Sequence, residues 1–220
     1  MNIVYSGRSA LYGRGRSGKG QKIFVNLLAG MLAHQGQEML MAMNFNQDFQ
    51  RPNSGIGHPG MDAPFGTYPS SDGWVTIAMS PFKTLVKVLG DDSLLQFDDP
   101  AILFDERDMV WNEIAKRTQA FDTKNLMQMM LEEDIWCGEV KTHLEAAADP
   151  QVEHLGLIQN YEHPLAGNVK CVGPAVTMSE TPPNIHRPAP LVGQHTREVL
   201  LEFGFTDEEI SAAIDSGQIA

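Results

Sequence analysis

Gly13-Arg-Gly-Arg-Ser-Gly-Lys-Gly-Gln21, GRGRSGKGQ, decides between two kinds of fold. It carries GxGxxG at Gly13, Gly15 and Gly18, and comes within one residue of the P-loop pattern, with Gly20 where the Ser or Thr hydroxyl belongs. A phosphate loop follows a strand and opens a helix, so that the helix N-terminus faces the anion. Here the order is reversed. The glycines lead into Lys22-Ile-Phe-Val-Asn-Leu27, where Ile23, Val25 and Leu27 alternate with Lys22, Phe24 and Asn26, the period of a strand. Gly20 also removes the group that would hold magnesium. The stretch therefore reads as a turn into a strand, and a nucleotide-binding fold loses its main support.

The bulk properties agree with a soluble protein. In 220 residues there is room for one large domain or two small ones with a sizeable core. The most apolar region, Leu27 to Met43, is interrupted by His34, Gln35, Gln37 and Glu38 and falls short of a membrane span. Met1 to Leu11 lacks the apolar stretch of a signal peptide, and Cys137 and Cys171 read as reduced thiols of a cytoplasmic protein. A net charge of −12 argues against nucleic-acid binding. Arg8, Arg14, Arg16, Lys19 and Lys22 nevertheless precede the first acidic residue, Glu38, and form a solvated basic turn or a meeting place for a small anion.

From Leu27 to about Asn44 the period becomes helical. Leu27, Met31, Met39 and Met43 fall on one line and Leu28, Leu32 and Leu40 on the next, which predicts a mostly buried helix. Residues 44–63 are a polar, glycine-rich connection, of the length that is either a linker or a working loop. A hairpin follows, Phe65 to Tyr68 and Trp74 to Met79, turning at Asp72-Gly73. Ser80-Pro81 reads as N-cap and first residue of a helix that stops at Gly90. Helices are expected at 105–118 and 123–133, and a short strand or turn at Trp136 to Val140. Thr142 and Glu145 form a capping box, Asp149-Pro150 starts another helix, and a second hairpin spans 157–162 and 169–172. Residues 179–194 are proline-rich. Thr196 caps a helix with Val199, Leu200 and Phe203 inward, and Thr206 with Glu209 caps the last.

Chemistry is sparse. Neither HExxH, CxxC nor a GxSxG elbow occurs, so a zinc site or a serine nucleophile has little support. The acidic pairs Asp91-Asp92, Asp98-Asp99 and Glu132-Glu133 fit exposed loops and helix ends. One segment stands apart, Ser54-Gly-Ile-Gly-His-Pro-Gly60. Its glycines free the backbone to approach a ligand or to move, and His58 adds a titratable group. The plainer reading is a flexible hinge. Residues alone thus give an α/β domain with one suspicious loop.

The ordered segments GRGRSGKGQKIFVNLLAGMLAHQ, GIGHPGMDAPFGTYPSSDGWVTIAM, DIWCGEV, DPQVEHLG, RPAPLVGQHTREVLLEFGF and the closing EEI and SGQIA resemble the family III coenzyme A transferases. That group includes formyl-coenzyme A and carnitine-type transferases and 2-methylacyl-coenzyme A racemases. The resemblance implies a partial Rossmann-like large domain with an inserted small α+β domain, lacking its N-terminal half. Residues 1–46 would be a remnant of the large domain and a connecting helix, 47–140 the small domain, and 141–220 the return to the large one. It implies acyl-CoA and a carboxylic acid as substrates, with coenzyme A not permanently bound. It also implies a homodimer of interlocked rings, or a companion N-terminal half.

Family transferases attack the thioester with an aspartate, passing through an aspartyl anhydride and an aspartyl thioester. A glycine-rich loop shields these from water, and Gly55, Gly57, His58, Pro59 and Gly60 match its position. The family's aspartate precedes the Gly-Lys-Gly-Gln turn, whereas no Asp or Glu here precedes Glu38. The chain alone is therefore expected to be catalytically incomplete, a fragment, one piece of a split enzyme, or a non-catalytic subunit. The racemase branch is the enzymatic alternative. It tends to place a glutamate before the proline after the second hairpin strand, where this chain has Ser80.

Overall fold

Three helices lead the chain in a computed structural model that describes residues 2–46 and 48–219. They are α1 (Asn2–Ser17), α2 (Leu27–His34) and α3 (Gly36–Phe45). Gly13 to Ser17, expected in a turn, belong to α1, where Ser17 Oγ donates to the Gly13 carbonyl at 2.8 Å. The turn itself falls at Gly18, at φ 71°, whose amide donates to the Arg14 carbonyl. Only glycine takes that backbone conformation cheaply. The expected strand at 22–27 is absent: residues 19–26 are irregular chain with no ladder among the described residues. Alternation marks a face, but a strand also needs a neighbour to pair with.

The expected long helix is two helices. Its ladder breaks at Gln35, at φ −95° and ψ 22°, immediately before Gly36. Asn26 caps the first piece, accepting from the Ala29 amide at 2.8 Å. The expected burial is also corrected. None of the described side chains of α1, α2 or α3 is buried, and Leu27 is 89% and Met43 64% exposed.

The next residues build a core. Strands β1 (Gly66–Pro69) and β2 (Trp74–Ile77) form the expected hairpin, with Tyr68 opposite Val75. Helices α4 (Phe82–Leu89), α5 (Pro100–Asp105), α6 (Arg107–Thr118) and α7 (Thr123–Glu132) follow, then β3 (Cys137–Glu139). The last strand pairs antiparallel with β2, making the order β1-β2-β3. Tyr68, Val75 and Ile77 bury one face of the sheet with Leu85, Val86, Ile114, Leu126 and Met130 of the helices. At roughly 25 cal/mol per Å² of apolar surface removed from water, such residues are the main source of stability here.

Details of this region depart from expectation. Pro81 is the N-cap of α4, at ψ 124°, and Phe82 begins the helix, because an extended ψ at Pro81 is not helical. The helix expected at 105–118 is interrupted at Glu106. Asp99 caps α5 through the Ala101 amide with Pro100 behind it, and Asp91 accepts from the Ser93 amide to open a 3-10 turn at Asp92–Phe97. These acidic pairs are caps as well as loop residues. The Asp72-Gly73 turn is tied inward, with Asp72 Oδ1 accepting from the Thr123 amide at 2.8 Å and its hydroxyl at 2.7 Å.

Contacts divide the chain into two compact units, Met1–Val140 and Lys141–Ala220. The second contains α8 (His143–Ala147), α9 (Pro150–His154), the hairpin β4 (Ile158–His163) and β5 (Gly167–Val172), α10 (Thr196–Glu202) and α11 (Asp207–Asp215). Both predicted capping boxes are present, at Thr142 with Glu145 and Thr206 with Glu209. His195, not Thr196, is the N-cap of α10, and Val199 and Phe203 face outward, the latter 78% exposed. Its apolar stripe has no core beneath it, since Ile210 is the buried hydrophobic residue of this unit among the described residues. Both sheets are antiparallel, so the described residues hold no parallel Rossmann-type sheet.

Gln47, where the small domain was expected to begin, lies outside the described residues. No helix among them is long and apolar enough to cross a membrane. Cys137 and Cys171 are unbridged.

Candidate functional site

The connection at 48–65 runs along β1 as a partly bonded outer edge. Thr67 donates its amide to the Gly55 carbonyl at 2.8 Å, Gly57 donates to the Phe65 carbonyl at 3.1 Å, and Ile56 bridges to Gly66. These bonds satisfy backbone groups that a free hinge would leave to water. The loop is therefore a fixed feature of the first unit and not the plain hinge its composition suggests.

Its glycines serve close approach. A Cβ on Gly55 would lie 2.4 Å from the Thr67 carbonyl oxygen and 2.8 Å from the Trp111 ring nitrogen. On Gly57 it would meet the Phe65 ring at 2.8 Å, and on Gly60 the Phe49 ring at 2.8 Å. Each contact is below the distance that carbon tolerates. The tightest contact lies where Gly55 pairs with the Thr67 backbone, and Trp111 closes the same side, stacking on buried Tyr68 with centroids 5.5 Å apart and donating to the Thr67 carbonyl at 2.9 Å.

Two neighbouring residues at the start of α6 hold the N-terminal end of the loop. The Asp108 carboxylate accepts from the amides of Asn53 and Ser54, each at 3.0 Å. Arg107 donates to the Gln50 carbonyl at 2.8 Å and to the Phe104 carbonyl at 2.9 Å. Burial pushes the Asp108 carboxyl up, but the donors of Ser54 and Asn53 outweigh it and leave the group below the usual range. Beside this end lies a cleft of about 610 Å³. Met41, Phe45, Phe49, Pro59 and Phe104 form its apolar walls, with Arg51 among its polar residues.

His58 sits where the loop meets α3. Its Nδ1 accepts from the Gly60 amide at 2.9 Å, so the neutral ring carries its proton on Nε2. That proton points to Glu38 Oε1, 2.9 Å away. The ring meets that of Phe49 edge to face, with centroids 6.0 Å apart. A bond from its own backbone amide, and then His58, hold the Glu38 carboxyl below its ordinary value. Both ring nitrogens are engaged, so His58 in this arrangement holds the loop and is not free to take a substrate proton.

The structure thus gathers Gly55, Gly57, His58, Pro59 and Gly60 into one bonded loop. Sequence reading found these five and missed the residues that fix them, Glu38, Arg107, Asp108 and Trp111. Glu38 stood out only as the first acidic residue of the chain, and nothing in its spacing announced a partner 20 residues on. The basic residues Arg8, Arg14, Arg16, Lys19 and Lys22 are all exposed on α1 and the chain after it. Cys137 is no activated nucleophile, because burial pushes its thiol up and disfavours the thiolate. No group of three metal-ligating side chains comes together among the described residues.

Comparison with known proteins gives the family. The profile of CoA-transferase family III matches residues 1–196. A formyl-CoA:oxalate CoA-transferase of Rhodopseudomonas palustris is 30% identical over 56% of this chain and 29% of its own length. One from Escherichia coli is 26% identical over 96% of this chain and 57% of its own. A CaiB/BaiF-family crystal structure from Brucella suis superimposes with a TM-score of 0.71 at 23% identity, over 90% of this chain and 52% of that one. A Mycobacterium tuberculosis structure gives 0.64 at 14% identity, over 88% of this chain and 51% of that one. The chain spans about half the length, or less, of these relatives. It belongs to CoA-transferase family III.

Proposed function

We propose that the chain is the lid-bearing part of an enzyme that moves coenzyme A between an acyl-CoA thioester and a carboxylic acid. In that exchange an aspartate carboxylate attacks the thioester carbon and expels the coenzyme thiolate, leaving a mixed anhydride. The thiolate attacks the aspartyl carbonyl, the donor acid leaves, and an aspartyl thioester remains. The acceptor carboxylate opens it to a second anhydride, which the thiolate resolves into the new thioester and free aspartate. Each intermediate is destroyed by water, so a fixed loop that excludes water is part of the chemistry. The bonded glycine-rich loop at Gly55 to Gly60, in a member of this family, carries the reading.

The attacking aspartate is proposed to lie outside these 220 residues, because the first carboxylate of the chain is Glu38 and that group is committed to His58. A companion segment is supported by the apolar side chains that α2 and α3 leave exposed, Leu27, Leu28, Met31, Leu40 and Met43 among them.

The test is coenzyme A exchange between an acyl thioester and a carboxylate, measured with the purified chain alone and after co-expression with a companion segment that carries an aspartate. No turnover alone and exchange with the companion is the expected result. Exchange by the chain alone overturns the placement of the nucleophile. Ser80, in place of the racemase glutamate, favours transfer over racemisation. Uptake of solvent deuterium α to the thioester by the co-expressed form, without acid exchange, would reverse that choice.

A further inference from the structure

Loop 55–60 is fixed at its N-terminal end by β1 and α6, which belong to the core. At its far end the Met61 amide donates to the His58 carbonyl and the Ala63 amide to the Leu103 carbonyl of α5, each at 3.0 Å, and the side-chain hold comes from a different kind of element. Gly60 donates to His58 Nδ1, His58 Nε2 donates to Glu38, and Glu38 lies on α3, a helix with no buried side chain. The ring relays one bond into the next, because accepting at Nδ1 requires the proton on Nε2, and that proton is what Glu38 holds. Loss of the carboxylate frees the ring to change tautomer or rotate, and the Gly60 bond goes with it.

We propose that Glu38 is a positioning residue that latches the glycine-rich lid through His58, so that the closed position of the lid depends on where α3 sits. This rests on the reading of the loop as a lid. It goes beyond that reading by assigning control of the lid to α3. Leu40, Met41, Met43 and Phe45 are exposed on the same helix, so whatever covers them also sets the latch. The chain alone already forms this hold, and assembly that covers α3 would tighten it further before any anhydride forms.

The experiment uses the full chain labelled with ¹⁵N. The ring nitrogens of His58 report the tautomer, and hydrogen exchange of the Gly60 amide reports the latch. The Ala78 amide, bonded to the Trp136 carbonyl at 2.8 Å just beyond the ends of β2 and β3, serves as reference. Expected are Nε2–H in the unaltered chain and about a tenfold faster Gly60 exchange in Glu38→Ala, with Ala78 unchanged. Glu38→Gln keeps an accepting oxygen and is expected to stay within about threefold of the unaltered chain. A proton on Nδ1, or Gly60 exchange unmoved in Glu38→Ala, overturns the latch. If Glu38→Ala speeds Ala78 equally, the variant has lost its fold and the tautomer of the unaltered chain decides.

In the co-expressed form, Glu38→Ala is expected to raise thioester hydrolysis relative to transfer by about tenfold, and Glu38→Gln to restore the ratio. An unchanged ratio overturns control of the lid. If the unaltered co-expressed form transfers nothing, the transferase reading falls, while the ring and Gly60 measurements still decide the latch.

Discussion

Residues 27–45 and residues 107–132 are both largely helical and rich in Leu and Met, yet only the second region contributes buried residues. Leu126 and Met130 are fully covered by β2, β3 and neighbouring helices, while Leu27, Met31 and Met43 meet solvent. The difference lies in partners. Helices α4 to α7 fold back on a sheet made by the same 75 or so residues, whereas α2 and α3 have no such sheet beneath them. An apolar period states which face seeks cover, and the chain itself need not supply that cover.

The largest expected effect breaks this contrast if it fails. Leu126→Ala leaves a cavity in a sealed core and should cost about 2–5 kcal/mol in urea denaturation. Leu27→Ala should stay within about 0.5 kcal/mol. Equal costs would mean that α2 is packed after all. Next comes the loop. Gly55→Ala sets a carbon against the Thr67 carbonyl and the Trp111 ring, for an expected loss of about 1–3 kcal/mol. Gly20→Ala, which meets nothing within 4 Å, should leave stability unchanged. In the second unit, whose described core is Ile210, Thr206→Ala removes a capping box and should cost about 1 kcal/mol, read as lost helicity in α11.

The smallest effect is electrostatic and lies at the surface of the first unit. Ser93, then Arg117, hold the Asp91 carboxyl at about 2. A folded carboxyl that ionises more readily than the unfolded one, at about 4, stabilises the fold fully above that higher value. The contribution fades as pH falls from about 4 toward 2. Asp91→Asn should flatten the acid limb of a melting-temperature profile in that window. Exposure and salt keep the change small. An unchanged limb would show that the Arg117 pair does not survive in solution.

Legibility followed the range of the interaction. The Asp72-Gly73 turn, the capping boxes at Thr142 and Thr206 and the stop at Gly90 depend on neighbours within four residues, and each was readable. The break at Gln35 and the shift of the α10 cap to His195 are local too, but several residues there satisfied the same rule. Pairing of Ile77 with Cys137, and of Glu38 with His58, joins residues distant in sequence and left no periodic trace. The strand expected at Lys22 to Leu27 failed for the same cause, since its alternation has no partner edge. Of the loop, the glycines were visible and their reason was not, because Trp111 lies far off in the chain and nothing in the spacing shows that Phe65 and Phe49 fold back onto Gly57 and Gly60.

Hydrogen exchange followed by mass spectrometry along the isolated chain measures the contrast itself. Slow exchange is expected in peptides covering 74–78 and 107–131, where opening requires loss of the core. Exchange at least a hundredfold faster is expected across 27–45, whose helices lack covered side chains. Protection of 27–45 equal to that of 107–131 in a monomeric chain would contradict the account, because those helices would then need no partner.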